Sequence, residues 1–179
     1  MLGSRPIRDR QGRPVKTIEP PDIFHLQAAQ GWLELGSHTE AELELRNLAP
    51  ELSEHPAVLQ VRWAVCAAGR NWEAALEIAA TLIQLAPADP FGWIHRSYSL
   101  HELKQTAEAR DNLLRAVDKF PDDPTMRYNL ACYECQLGRL DEATGWLRKA
   151  FALGDARMMK LTALDDPDLK PLRVEIESL

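Results

Sequence analysis

"PADP", Pro87 to Pro90, returns as "PDDP", Pro121 to Pro124, and the two proline brackets stand 34 residues apart. The same step runs through most of the chain. Ala41, Ala75, Ala109 and Ala143 form an unbroken series, preceded in three of the four cases by Glu40, Glu108 and Glu142. Asp22, Pro56, Pro90 and Pro124 make a second series, Leu48, Leu82, Ala116 and Ala150 a third, and Leu45, Ala79, Leu113 and Leu147 a fourth. Four copies of one unit therefore follow each other from Asp22 to the neighbourhood of Asp155.

Within a copy the apolar spacing is helical. Between Pro90 and Asp123, residues Trp93, Ile94, Ser97, Tyr98 and Leu100 recur at three- and four-residue steps, and so do Ala109, Leu113, Ala116 and Val117. Each copy thus reads as two helices. Proline suits the first helical position, because its missing N–H would have no intrahelical partner there and its fixed φ is already helical. Pro87 and Pro121 close one helix, Asp89 or Asp123 serves as N-cap, and Pro90 or Pro124 opens the next.

These residues resemble the tetratricopeptide repeat family, whose helix-turn-helix unit is 34 residues long. The last copy, "RYNLACYECQLGRLDEATGWLRKAF", is the most similar, with Leu130, Ala131, Gly138, Ala143, Leu147 and Ala150 on pattern. The resemblance implies an all-α superhelical solenoid of about four such repeats with a C-terminal capping segment. The expected division is a basic, proline-containing arm at 1–21, repeats at 22–55, 56–89, 90–123 and 124–154, and a cap at 155–179. Small residues at the eighth and twentieth places let paired helices approach to about 8–10 Å. Position eight carries Ala29, Trp63, Ser97 and Ala131, so the expectation is that the first helix of copy two is offset by one residue, bringing Ala64 to the contact. Pro50 falls where the second helix of copy one should continue and is expected to shorten or kink it by about a turn. Beyond Gly154, a helix near Asp155 to Ala163, a turn at Asp166 and Pro167, and a last short helix are expected to cover the open end. "DPDLKPLR" looks like the tail that often ends bacterial arrays of this family.

Composition agrees with a folded, non-membrane chain. Of 179 residues 45% are hydrophobic, and nine are glycine, enough apolar material for a core. No uncharged apolar run approaches the roughly 20 residues a bilayer span needs, and the positive N-terminus lacks the apolar region of about 7–15 residues that a secretory signal has. Cys66, Cys132 and Cys135 cannot all pair internally, so reduced thiols and a cytoplasmic location are expected. Residues 1–21 carry a net +3 and the remainder −9 of the overall −6. An acidic body argues against nucleic acid as the main ligand.

Catalytic chemistry finds little support. "CYEC" puts Cys132 and Cys135 on one side of a helix, but mid-helix rather than at a helix start, and no second ligand pair completes a zinc site; His95 and His101 are the nearest additions. No phosphate-cradling glycine loop or nucleophile elbow appears. The recurrent "AEA" and "DEA" carboxylates sit at helix starts, where the helix dipole favours them. No enzyme, metal or cofactor is expected.

The resemblance implies that the second, fifth, ninth and twelfth residues of each first helix line a concave surface. Copy one supplies Ile23, Leu26, Gln30 and Leu33, and copy two Ala57, Gln60, Ala64 and Ala67. Copies three and four supply Phe91, Ile94, Tyr98 and His101, then Thr125, Tyr128, Cys132 and Cys135. The family's clamp for a terminal carboxylate is not matched: apart from Arg127 and Asn129, its cationic and amide places hold Leu26, Gln30, Ala57, Val61 and Phe91. An apolar and aromatic groove at Phe91, Ile94, Tyr98, His101, Tyr128 and Cys132 suits a peptide segment of a partner protein. The plainer alternative is that this chain's own arm or cap covers the face. The expected role is a non-enzymatic scaffold or adaptor with a protein or peptide partner, no nucleic acid and no membrane. A secretion-type chaperone, of the kind that often forms a homodimer through an N-terminal segment, is the second reading. A thiol or metal protein using Cys132 and Cys135 is the third.

Overall fold

The computed structural model describes residues 16–179; most of the expected basic arm, residues 1–15, lies outside them. Ten α-helices and no strand are present among the described residues. The first helices of the copies are α1 (Asp22–Glu34), α3 (Pro56–Ala68), α5 (Pro90–Glu102) and α7 (Pro124–Gln136); the second helices are α2 (His38–Arg46), α4 (Trp72–Leu85), α6 (Thr106–Leu114) and α8 (Leu140–Leu153). Both sets start at 34-residue intervals, and every first helix is 13 residues long. A tail of α9 (Ala156–Asp165), a 3-10 helix (Pro167–Leu172) and α10 (Arg173–Ser178) follows.

The common length has one cause at the C-terminal end of all four first helices, and three of the four are capped by a side chain at the start, α1 being the exception. At the start, Asp89 Oδ1 accepts the N–H of Phe91 and Asp123 Oδ1 that of Met126, while in copy two the Nδ1 of His55 accepts from Ala57. At the end, Gly36, Arg70, Lys104 and Gly138 all have positive φ, at 78°, 56°, 65° and 78°. Each is followed by a residue whose N–H returns to the helix: Ser37 to Trp32 O, Asn71 to Cys66 O, Gln105 to Leu100 O and Arg139 to Glu134 O. This is the Schellman closure, which needs a left-handed residue just past the helix. Glycine adopts that conformation freely; Arg70 and Lys104 adopt it at a cost of roughly 1–2 kcal/mol.

Pro50 has the expected effect: α2 is nine residues against fourteen in α4, and Pro50 opens a 3-10 turn, Pro50–Leu52. Proline is not the only route to a short second helix, since α6 is also nine residues and is followed by a 3-10 turn at Val117–Lys119 without one.

The chain forms two compact units, one ending at residue 95 and one over 96–179, with the division inside α5. In the first unit Leu26, Ala29, Ala41, Leu45, Leu48, Leu52, Val58, Val61 and Val65 form one core, on which Ile18 packs from the N-terminal side. The expected offset of α3 does not occur. Trp63 keeps the register, is 7% exposed and packs on Ala75 and Ala79 of α4, while Ala64 stays half-buried. Two alanines on the facing helix make room for the indole, which is why no shift is needed. At Gly92 an added Cβ would stand 2.9 Å from the backbone N of Ile83, so α5 approaches α4 closely there.

In the second unit Leu100, Leu113, Leu130 and Leu147 are sealed from solvent, joined by Ala109, Ala131 and Ala143. Several buried polar groups are paired, although the Tyr133 hydroxyl has no hydrogen-bond partner among the described residues. Ser97 donates to Ala109 O and receives from Asn112, which in turn receives from Arg96. Glu134, 2% exposed, binds Arg110 at 2.6 Å and Arg139 at 3.2 Å. The tail adds Ala163, Leu169, Leu172 and Ile176, each no more than 1% exposed.

Candidate functional site

In the first unit, first-helix residues open a cleft of about 480 Å³ lined by Gln30, Leu33, Glu34, Ala57, Gln60, Val61, Ala64 and Phe91. Its floor follows from the sequence: α3 presents alanines and a valine where larger side chains would fill the space. Phe91 forms one wall. Its ring stacks on His95 at 3.7 Å and meets Trp63 edge-on at 6.0 Å, so it is held from behind and half-buried. His95 bridges back to the carbonyl of Phe91 at 2.9 Å, and burial pushes its pKa below the ordinary value. Gln60 is fixed by Asp89 at 3.0 Å. Ile94 is half-buried in the same unit. Leu26, one of the concave positions implied by the resemblance, belongs to the core at 4% exposure.

In the second unit the corresponding face is occupied by the chain itself. Asp166 and Asp168, at the start of the 3-10 helix, lie against α5 and α7. Tyr128 donates to Asp166 Oδ2 at 2.9 Å and the Cys132 thiol approaches the same oxygen at 3.6 Å. His101 Nε2 pairs with Asp168 Oδ2 at 3.0 Å and its Nδ1 with Thr106 at 3.0 Å, while Gln136 donates to the Asp168 carbonyl. His101 and Cys132 are consequently buried, at 9% and 5% exposure, and do not stand open to a partner. Tyr98 remains 39% exposed and Tyr128 half-buried. Of the six residues singled out from the sequence, the tail gathers Tyr128, Cys132 and His101. Phe91 and Ile94 belong to the first unit.

The thiols are not prepared for chemistry. All three cysteines are unpaired, and burial, aided by Asp166 and Asp168, raises Cys132 well above the usual thiol range. Burial raises Cys66 and Cys135 as well. The thiolate is the reactive form, so each shift opposes nucleophilic or redox work. Among the described residues no group of three or more His, Cys, Asp or Glu is placed to hold a metal ion, and no helix is long and apolar enough to cross a membrane.

The sequence reading missed two things. The cleft of the first unit is built from residues that look bland one by one, and its signal is their smallness at successive turns. The acidic insert comes from "DDPDL", legible as a turn but not as a filler for a face formed some 30 to 70 residues earlier.

No family model matches the chain, and no curated protein does. Solved structures do. The chain is similar to a MamA fragment, residue 41 to the end, from Desulfovibrio magneticus RS-1, at 18% identity and a TM-score of 0.67, covering 90% of this chain and 94% of that one. It is also similar to TTC0263, a thermophilic tetratricopeptide-repeat protein of Thermus thermophilus, at 19% identity and a TM-score of 0.66, covering 88% and 100%. A double mutant of MamA from RS-1 aligns at 16% identity and a TM-score of 0.65 over 78% and 79%. These likenesses show the fold: the chain is all-α and folds as a tetratricopeptide-type helical repeat.

Proposed function

We propose that this protein is a non-enzymatic interaction scaffold that holds an extended segment of a partner protein in the cleft of its first unit. The observation that carries the reading is the cleft itself, about 480 Å³, walled by Phe91 and floored by Ala57, Val61 and Ala64. Ligand pockets fall at roughly 300–1,000 Å³ and combine apolar walls with a few polar groups that fix orientation. Gln30, Gln60 and Glu34 are such groups, placed to meet a peptide backbone or a polar side chain. Phe91 is backed by His95 and Trp63, so it loses little freedom on binding, the property of an aromatic anchor. The three unpaired thiols suit a reducing compartment, and the cytoplasm is the proposed place of work.

The test is capture from the source cell with the intact protein, followed by identification and binding of the retained partner to purified variants. Ala57→Gln combined with Ala64→Gln fills the cleft with neutral bulk on half-buried positions. Partner binding should fall at least tenfold, about 1.4 kcal/mol, with the melting temperature held within a few degrees. Undiminished binding by the filled cleft would overturn the reading.

A further inference from the structure

Phe24 is 61% exposed, although it stands at a place that the rest of the array seals. At successive 34-residue steps that place holds Val58, Gly92 and Met126. Val58 and Met126 are fully buried, and α5 comes too close to α4 at Gly92 to admit a Cβ. Gly31 repeats the contrast. Its counterparts Val65, Ser99 and Tyr133 are buried, whereas a Cβ on Gly31 would meet no described atom within 4 Å. Phe24, Gly31 and Leu35 follow one side of α1 at seven- and four-residue steps, and Leu35 is exposed as well. What seals the counterparts is the second helix of the preceding copy: α2 packs on α3, with Leu45 and Leu48 in one core with Val58 and Val65, and α6 packs on α7. The outer face of α1 is therefore a stacking surface with no second helix on it among the described residues.

The chain's approach to α1 is built for such a helix but does not supply it. Ile18 stands in register with Leu52 and Ala86, the buried residues that lead into α3 and α5, and it packs on the core of the first unit that includes Leu52. The stretch before it, in register with α2, puts Ile7, Gln11 and Pro14 where α2 and its continuation have the buried Ala41, Leu45 and Leu48. Gln11 would carry an amide into the contact, and Pro6, Gly12 and Pro14 together oppose a helix of that length. The matching helix has to come from another chain. Charge says what kind: residues 22–55 carry seven carboxylates against Arg46 alone, a net −6 with histidines neutral, so a basic helix is drawn toward this end.

We propose that the outer face of α1 takes up an amphipathic helix of a partner protein, basic on its far side, whose small and apolar residues at i, i+4 and i+7 seat on Phe24 and Gly31 as Leu45 and Leu48 of copy one seat on Val58 and Val65. Gly31 leaves the hollow that a leucine enters, and Phe24 is the ridge beside it. The partner helix completes the array at an end that a solenoid otherwise closes with a polar cap. This surface is separate from the cleft of the first unit and goes beyond the contact proposed there.

The experiment measures binding of a fluorescein-labelled synthetic helix of about four turns to the full chain by anisotropy, the peptide carrying alanine or leucine at the i, i+4 and i+7 places and lysine elsewhere. A control peptide has the same composition with its apolar residues spread around the helix. The patterned peptide should bind about tenfold more tightly than the control and gain helicity on binding. Gly31→Gln, which fills the hollow with neutral bulk, should weaken binding about tenfold while melting no lower than the parent, because glycine is the poorer helix former. Phe24→Ala should weaken it similarly, and Leu153→Ala, at an exposed apolar site on α8, should leave it unchanged. Ala57→Gln with Ala64→Gln should also leave it unchanged, so that this surface and the cleft stand or fail separately. Equal affinity of the two peptides, equal affinity of Gly31→Gln and the parent, or a lower melting temperature for Gly31→Gln would each overturn the proposal. Displacement of the probe by an equal concentration of a peptide of residues 1–15 would overturn it by making the chain's own arm the occupant. A dimer of the parent that Gly31→Gln splits in sedimentation equilibrium would overturn it in favour of a second copy.

Discussion

Trp63 offers a severe test of how the first unit is packed, because it occupies a place that the repeat pattern reserves for a small residue. Its indole is 7% exposed, rests on Ala75 and Ala79, and meets Phe91 at 6.0 Å and His95 at 4.1 Å. Trp63→Ala should therefore cost about 3–5 kcal/mol, the range for emptying a buried aromatic site. The same geometry fixes the sign of a second change. Ala75 is wholly buried beneath the ring, so Ala75→Leu in the parent overpacks and should cost about 1–3 kcal/mol. In the Trp63→Ala background the same leucine enters the space left by the indole and should restore stability, each buried methylene contributing about 0.8 kcal/mol. The interaction energy between the two sites should thus exceed about 1 kcal/mol, well above the additivity error of distant pairs. Urea unfolding followed by circular dichroism measures it, with constant slopes showing that midpoint shifts are stability changes. If Trp63→Ala cost less than about 1 kcal/mol, or Ala75→Leu destabilised both backgrounds alike, the indole would not be the packing unit between α3 and α4.

Two further outcomes are expected of the fold. Ala143→Leu, at a position with no exposure, should cost about 1–3 kcal/mol in the same assay, whereas Glu142→Leu on the exposed side of α8 should change stability by less than about 0.5 kcal/mol. Stability should also fall as pH drops from 7.5 toward 5. Burial lowers the pKa of His95 and of His55 below the ordinary 6.5, so below that pH the unfolded chain takes up protons that the folded chain refuses. The contribution is complete above pH 6.5 and is lost progressively as pH falls toward the folded-state values. His55 adds a second reason, since its Nδ1 must stay unprotonated to accept from Ala57. Replacing His95 with Gln should flatten the decline, and an unchanged pH profile in that variant would remove His95 from the account.

The repeat register was legible because it is written in residues with singular backbone or packing roles. Proline at a helix start, aspartate before it and alanine at a helix contact cannot drift without loss, so their spacing survives in one sequence. The closing turns were half-legible for the same reason. Gly36 and Gly138 declare the positive φ, but Arg70 and Lys104 occupy the same place with no local sign of it. Trp63 was misread because the small-residue rule concerns the distance between two helices, and either helix can satisfy it; here α4 does, through Ala75 and Ala79. The candidate sites were least legible. Tyr128 and Asp166 are 38 residues apart and His101 and Asp168 are 67, and no local pattern encodes pairing at such range.

The tail shows why covering the end of the array and filling the face of the second unit are a single structural event. Asp166 is the N-cap of the 3-10 helix, its Oδ1 accepting the N–H of Asp168 at 2.9 Å. That bond orients the carboxylate so that Oδ2 meets Tyr128 and Cys132. The helix so begun then buries Leu169 and Leu172, and α10 buries Ile176. Lifting the tail off would return these three side chains to water, at roughly 1.5–3 kcal/mol each, a total near the whole stability of an ordinary domain. Any partner that displaced the tail from this face would have to offset that cost. The seated tail brings the carboxylates of Asp166 and Asp168 to this face, where α5 and α7 supply His101, Tyr128 and Cys132 to meet them.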